Sequence, residues 1–221
     1  RKVLIDHHPY PDIECDICIS YPEISSTSEL IFRLICRMGQ QRDIDMKIAE
    51  CIYTGMMTDT GNFSYNSQSP EIYLIINELL KIGINKDEIY NRVFSTYSVD
   101  RMRLMGYCLS KKMKIYKEQR AALIYLTLAE CEHYNYQIGD TEGFVNMPFS
   151  IKDIDISILA RQDKEKIKIS FRSQGSFPAN KMAEEFKGGH LNAAGGESYF
   201  SMKKTIDMIE EAIRNRKKYE Q

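Results

Sequence analysis

The sequence has no excess of charge of one sign, no long apolar run and no internal repeat. Its 30 Lys and Arg residues stand against 31 Asp and Glu, a formal net charge of −1 at pH 7. This balance provides no basic surface, so any phosphate binding must come from a local pocket. No apolar run approaches the ~20 residues of a membrane span, and no signal-peptide core follows the first residue. We therefore expect neither a membrane span nor a leader.

Cysteine is present but in no pattern that specifies a bound metal or a redox centre. The 6 cysteines are scattered through ordinary core sequence. Such usage is typical of free thiols in a reducing compartment and predicts a cytoplasmic protein. Cys15 and Cys18 form a C-x-x-C pair, which a zinc half-site or a redox pair could use. No second pair follows at zinc spacing and no Cys-Gly-Pro-Cys context surrounds it, so a structural role is favoured.

The first part of the chain has one convincing strand, at residues 3–5, and several helical patterns. Ser26 and Glu29 fit a capping box at the start of the first helix. A second helix is predicted over 45–53, ending near Gly55, and a polar loop is predicted from Thr58 onward. One strand is too little sheet for a doubly wound domain, so this part is predicted either to be incomplete or to pair with strands from elsewhere.

The sequence pattern of the second part is typical of a mixed α+β domain. Strands are predicted at residues 121–126, 154–160 and 166–172. The last two are separated by Asp163-Lys164-Glu165, a polar gap of hairpin length. The predicted fold class is therefore α/β, with three segments. These are an incomplete Rossmann-like parallel-sheet domain over 1–98, a linker helix over 99–112 and a smaller α+β domain over 113–221.

Two of the 4 histidines stand side by side near the start of the chain, in Val3-Leu4-Ile5-Asp6-His7-His8-Pro9. A buried strand that delivers an acid and two imidazoles at its carboxyl end is typical of a metal site at the edge of an open α/β sheet. A hydrogen-bonded cap and a solvated histidine explain the same residues equally well from local sequence alone.

A glycine-rich segment near the other end decides between these readings. In Gly188-Gly189-His190-Leu191-Asn192-Ala193-Ala194-Gly195-Gly196 the glycines allow backbone N–H groups to approach an anion. Together with Asp6-His7-His8 and Thr58-Asp59-Thr60-Gly61, this segment resembles the DHH phosphoesterase superfamily with a C-terminal DHHA1-type domain. The resemblance is greatest to the branch of short-oligoribonucleases (nanoRNases) and pAp phosphatases. It continues through Ser26-Thr27-Ser28-Glu29, Glu142-Gly143-Phe144-Val145-Asn146 and Phe171-Arg172-Ser173.

The resemblance implies a hydrolase that cleaves phosphate esters with two Mn²⁺ ions and an activated water. His7 and Asp59 have the chemistry to ligate one ion together, and both match metal ligands of the family. Asp6 is then expected to accept a proton from an imidazole and fix its orientation, and His8 to contact the scissile phosphate. Because His7 must be neutral to bind a metal, activity should fall at acid pH.

The second domain is expected to hold the substrate. Arg172 can bond a phosphate through two N–H groups, and the resemblance adds Ser173, Gly188, Gly189 and His190 to the substrate-binding residues. Phe63 or Phe144 could stack on a base, although core packing is the expected role of both. Lys187 stands where the family often has a further glycine, which alters the loop.

The expected substrates are short RNA, pAp or linear dinucleotides, and a homodimer is compatible with the sequence. The family's earlier His-x-x-x-Asp-x-Asp-like motif and a further aspartate strand do not precede Asp6, so the chain is expected to be part of a longer protein and by itself a weak metal binder. A single-strand exonuclease of the same superfamily is one alternative, although it would need a basic track. A nucleotide-binding module without catalysis is the other.

Overall fold

The computed structural model describes residues 1–8, 11–188 and 193–220, with the side chain of residue 193 left out. It divides into two compact units, Arg1–Thr96 and Tyr97–Gln221. The first unit ends two residues before residue 98, the predicted end of the first domain. The domain limits themselves remain a prediction. In the described residues every helix is too short or too polar to cross a bilayer.

The first unit contains two strands, where the sequence predicted one. Strand β1 (Val3–Asp6) pairs in parallel with β2 (Ile17–Ser20), with Val3 opposite Ile17 and Asp6 opposite Ser20. The one-strand prediction was wrong because β2 has only four residues and follows a run without alternating hydrophobicity. A parallel-containing α/β fold is nevertheless what the chain adopts.

Four helices complete this unit: α1 (Thr27–Arg37), α2 (Met46–Asp59), α3 (Pro70–Ile82) and α4 (Lys86–Phe94). Ser26 caps α1 by accepting the Glu29 backbone N–H at 3.0 Å, as predicted. The return bond of the capping box does not form, because the Glu29 side chain accepts the N–H of Ser25 instead. Gly83 ends α3 in the left-handed conformation, which glycine adopts without strain.

The prediction that α2 ends near Gly55 was wrong. The helix passes through Gly55 and continues to Asp59. A Cβ at position 55 would lie 1.9 Å from Ser28 Oγ, so this glycine lets α1 and α2 approach closely instead of ending a helix. As a result Asp59 is the last residue of α2, and the polar loop predicted from Thr58 starts two residues later.

The second unit is built on a five-stranded mixed sheet of order β3-β4-β5-β6-β7. Its strands are β3 (Met113–Tyr116), β4 (Ala121–Leu126), β5 (Ile156–Gln162), β6 (Ile167–Ser173) and β7 (Ala193–Ser198). Strands β4 and β5 are parallel, and the other pairs are antiparallel. The hairpin predicted around residues 163–165 joins β5 to β6, whereas β3 and β7 were not predicted.

Helices cover the sheet on both faces: α5 (Val99–Tyr107), α6 (Leu128–His133), α7 (Ala179–Glu184) and α8 (Met202–Arg214). One turn of π-helix, Cys108–Lys112, extends α5, so the helix predicted over 99–112 exists and lies within the second unit. Arg101 on α5 donates to the carbonyls of Gly139 and Glu142 and so holds the segment before Phe144. Phe144 is buried in the core, as expected.

Candidate metal and phosphate site

Asp6 organises the end of β1. One of its oxygens, Oδ1, accepts the backbone N–H of His7 at 2.8 Å, the backbone N–H of His8 at 3.2 Å and the ring Nδ1–H of His8 at 2.8 Å. The bond from the His8 ring is the main cause that lowers the pKa of Asp6. Asp6 therefore stays ionised near neutral pH, and the imidazole that it contacts is that of His8.

His7 lies between a backbone carbonyl and a carboxylate. Its Nδ1 is 3.3 Å from the carbonyl oxygen of Ile24, and its Nε2 is 3.6 Å from Oδ2 of Asp59. Because a carbonyl only accepts, the Ile24 contact places a proton on Nδ1, and the neutral form of the ring then carries its lone pair on Nε2. The separation from Asp59 is too long for a hydrogen bond. Within the described part of the chain, neither atom has a hydrogen bond, and these two atoms, both of a kind that binds metals, face each other across a gap.

The gap between His7 and Asp59 fits a divalent ion. Two atoms that each lie about 2.1 Å from a shared ion lie roughly 3.0 to 4.2 Å from each other, and the observed 3.6 Å falls in this range. Asp59 is also the last residue of α2, where the helix dipole favours a cation. Among the residues that the structure describes, no His, Cys, Asp or Glu completes a group of three ligands. The pair supplies two of the donors that such an ion requires.

His8 is the more exposed of the two adjacent histidines. Its side chain is 73% exposed, against 20% for His7, and its ring stands edge-on to that of His7 with the centroids 4.6 Å apart. Because Asp6 holds Nδ1, the Nε2 atom of His8 is left for a ligand. This geometry suits contact with a phosphate oxygen beside the His7–Asp59 gap.

A cavity of about 1080 Å³ lies against both histidines within the first unit. Its lining includes the apolar side chains of Leu30, Leu34 and Ile72 and the positively charged side chains of Arg33 and Arg37. The sequence analysis missed these two arginines. The signal that could have found them is their i, i+4 spacing on α1, directly after the Ser26–Glu29 motif.

The second unit holds the predicted substrate-binding residues that the structure describes. Arg172 and Ser173 end β6, and Arg172 is opposite residue 193 of β7. The Arg172 Nη1 donates to the Phe171 carbonyl at 2.9 Å, and the Ser173 hydroxyl donates to the Phe177 carbonyl at 2.6 Å. The structure therefore brings Asp6, His7, His8 and Asp59 together in one unit and places Arg172 and Ser173 in the other.

Gly188 packs against β7. Its N–H donates to the Ala183 carbonyl at 2.9 Å, so this amide serves the end of α7. A Cβ at position 188 would lie 1.7 Å from the Gly195 carbonyl oxygen, so only glycine fits there. Gly189 and His190, the remaining predicted residues of this loop, lie outside the described residues.

Comparisons with known proteins identify two domains in this chain. The model of the DHH family N-terminal domain matches residues 1–56, and the model of the DHHA1 domain matches residues 121–215. The chain is 56% identical to an exopolyphosphatase-related protein of Bacteroides fragilis of known crystal structure. The two superpose with a TM-score of 0.96, over 100% of this chain and 66% of that one.

Two curated relatives are each described as a bifunctional oligoribonuclease and PAP phosphatase NrnA. The one from Bacillus subtilis is 26% identical over 91% of this chain, and the one from Thermus thermophilus is 28% identical over 95%. The chain spans 63% of the length of each. Both family models match in the expected order, and they include the motifs that carry the resemblance except Thr58-Asp59-Thr60-Gly61, which follows the end of the DHH match. The chain belongs to the DHH family and joins a DHH segment to a DHHA1 domain.

Proposed function

We propose that the protein is a divalent-metal-dependent hydrolase of phosphate esters that acts on short oligoribonucleotides, linear dinucleotides or pAp. The observation that carries this proposal is the position of two atoms that can bind a metal ion, Nε2 of His7 and Oδ2 of Asp59. They lie 3.6 Å apart, and His7 lines a cavity. Carboxylate with neutral imidazole suits Mn²⁺, which is the expected ion. Relatives in the DHH family whose names state an oligoribonuclease and a PAP phosphatase support the substrate class.

Each residue of the site has a distinct role in this proposal. His7 and Asp59 hold one ion, and bound metal supplies an activated water and neutralises phosphate charge. His8 contacts the scissile phosphate through Nε2. Asp6 keeps the His8 ring in place by accepting its Nδ1–H. When the ring is protonated, Nε2–H can donate to a phosphate or leaving-group oxygen.

The size of the cavity favours a short substrate. A volume of about 1080 Å³ matches the upper end of ligand pockets and is large enough for a small nucleotide. Arg33 and Arg37 can bond a phosphate, whereas the overall charge of −1 provides no track for a long strand. Arg172 and Ser173, with the Gly188-Gly189-His190 loop, are proposed to bind a further phosphate or the nucleotide end.

The location and assembly of the protein are further parts of the proposal. All six cysteines are free thiols, which suits a reducing compartment, and we expect the cytoplasm. A homodimer is compatible with the proposed function.

The test measures Mn²⁺-dependent product release from pAp and from a linear dinucleotide by the whole gene product. Asp59→Asn should reduce turnover by more than the roughly 100-fold that changes outside the ligand shell produce. Asp45→Asn is the matched control, because Asp45 caps the opposite end of α2 and Asn caps equally well. This control should keep wild-type turnover.

Two outcomes would contradict the proposal. Nucleotide binding without turnover by the wild-type protein would favour the non-catalytic module. Efficient degradation of long single-stranded DNA, with little turnover of the short substrates, would favour the exonuclease.

A further inference from the structure

Glu29 is a buried carboxylate in the first unit that has no role in the proposed function. It is only 1% exposed, and its two oxygens bond in opposite directions. Oε1 accepts Nε and Nη2 of Arg33 at 3.0 and 2.6 Å, while Oε2 accepts the N–H and the hydroxyl of Ser25 at 3.2 and 2.5 Å. A carboxylate withdrawn from water keeps its charge only with such partners. The Arg33 ion pair supplies the counter-charge.

The peptide group between Ile24 and Ser25 connects Glu29 to His7. The N–H of this peptide belongs to Ser25 and donates to Glu29, and its C=O belongs to Ile24 and accepts from His7 Nδ1. A peptide group is planar, with its N–H and C=O pointing in opposite directions. The bond to Glu29 therefore fixes the direction in which the Ile24 carbonyl points. A charge-assisted bond on the N–H also makes the carbonyl a better acceptor.

We propose that Glu29 is a positioning residue that sets the ring orientation and tautomer of His7 through the Ile24–Ser25 peptide. Carboxylates that orient a metal-binding histidine usually accept the ring N–H directly. Here one peptide group stands between the carboxylate and the ring. With the proton held on Nδ1, Nε2 faces Asp59 with its lone pair free. Metal binding by this ring rests on the proposed function. The orientation of the ring is independent of the proposed function.

Arg33 completes the arrangement. Glu29 holds its guanidinium through Nε and Nη2, and Arg33 also lines the cavity next to the histidines. The same carboxylate thus contacts the turn behind His7 and a cation of the cavity wall. Loss of Glu29 is expected to disturb both, but only the Ser25 side leads to the ring of His7.

The first test reads the tautomer of His7 by ¹⁵N NMR in the metal-free protein, at a pH of about 8 where imidazole is neutral. The wild type should show His7 protonated on Nδ1. Glu29→Gln should shift His7 toward the Nε2–H form, because an amide cannot satisfy both the Ser25 N–H and Arg33. Glu71→Gln is the matched control, since Glu71 lines the same cavity but bonds to Ser69 instead. It should leave His7 unchanged.

The second test titrates Mn²⁺ alone into the same variants. Glu29→Gln should weaken binding by about 10- to 100-fold, and Glu71→Gln should leave it within about twofold. If Glu29→Gln fails to fold, Glu29→Asp replaces it, because the shorter side chain draws the carboxylate back from the Ser25 N–H while the negative charge beside Arg33 remains. It should move both readouts in the same direction by a smaller amount.

The outcomes separate this inference from the proposed function. An Nδ1–H tautomer that persists in Glu29→Gln, or in Glu29→Asp where that variant replaces it, overturns the positioning role. A tautomer shift without any Mn²⁺ binding in the wild type upholds the positioning role and contradicts the metal site.

Discussion

Gly55 is a residue at which helix propensity and helix packing should act in opposite directions. It lies inside α2, and a Cβ there would be 1.9 Å from Ser28 Oγ and 2.8 Å from Ser28 Cβ. Rotating the Ser28 hydroxyl relieves the first contact but not the second. Gly55→Ala therefore forces α1 away from α2. Gly106 offers a matched control, since it lies inside α5 with nothing within 4 Å of its added Cβ.

The two substitutions should differ in sign. Replacing a helical glycine by alanine stabilises by roughly 0.5–1 kcal/mol, which is the full effect expected for Gly106→Ala. Overpacking a close contact costs about 1–3 kcal/mol. Gly55→Ala should therefore be destabilising on balance, by up to about 2 kcal/mol. In a Ser28→Gly background the contact is absent, and Gly55→Ala should become stabilising by the propensity term alone.

Hydrogen exchange is the appropriate assay, because the chain has two units and a single unfolding midpoint would mix them. Protection of α2 amides should fall in Gly55→Ala, and protection of α5 amides should rise in Gly106→Ala. The double-mutant cycle with Ser28→Gly should give a coupling of at least about 1 kcal/mol. Equal stabilisation by both alanines would refute the argument that Gly55 is kept for close packing.

Two further predictions concern the second unit. Burial by itself would raise the pKa of Glu130, but its bonds to Lys112, Thr127 and Tyr107 outweigh this and lower it to about 2 from 4.5. The lowered pKa adds stability above pH 4.5, and this stability is lost as the pH falls toward 2. Over that range the free energy of unfolding of the wild type should fall by about 3 kcal/mol more than that of Glu130→Gln. Equal acid sensitivity of the two proteins in urea unfolding would contradict this prediction. Gly188→Ala should reduce hydrogen-exchange protection of β7, because its Cβ would meet the Gly195 carbonyl at 1.7 Å, while Gly195→Ala, with nothing within 4 Å, should not.

The parts of the fold that local pattern determines could be predicted from the sequence. Strand β4 begins and ends where its apolar run does, and β5 and β6 lie within two residues of their predicted limits. In β6, alternation places Ile167, Ile169 and Phe171 on the core face. Each of these features follows from contacts between residues close in sequence.

Features that depend on distant contacts could not be predicted in the same way. Gly55 resembles a helix end in sequence, because glycine usually lowers helix propensity, and only the neighbouring Ser28 shows why it is tolerated inside α2. Strand β7 was missed because its glycines suggest a loop. It adopts strand conformation because it pairs with β6, which its own sequence does not indicate.

The candidate site combines both kinds of information. The types of residue in Asp6-His7-His8 indicated metal and phosphate chemistry, and the Asp6–His8 bond is local enough to follow from sequence. The partners of His7 are not local. The Ile24 carbonyl and the Asp59 carboxylate meet its ring only after α1 and α2 pack on each other at Gly55. The position of Nε2 relative to Asp59 is therefore a property of helix packing, and a change at Gly55 should reach the site without touching any of its residues.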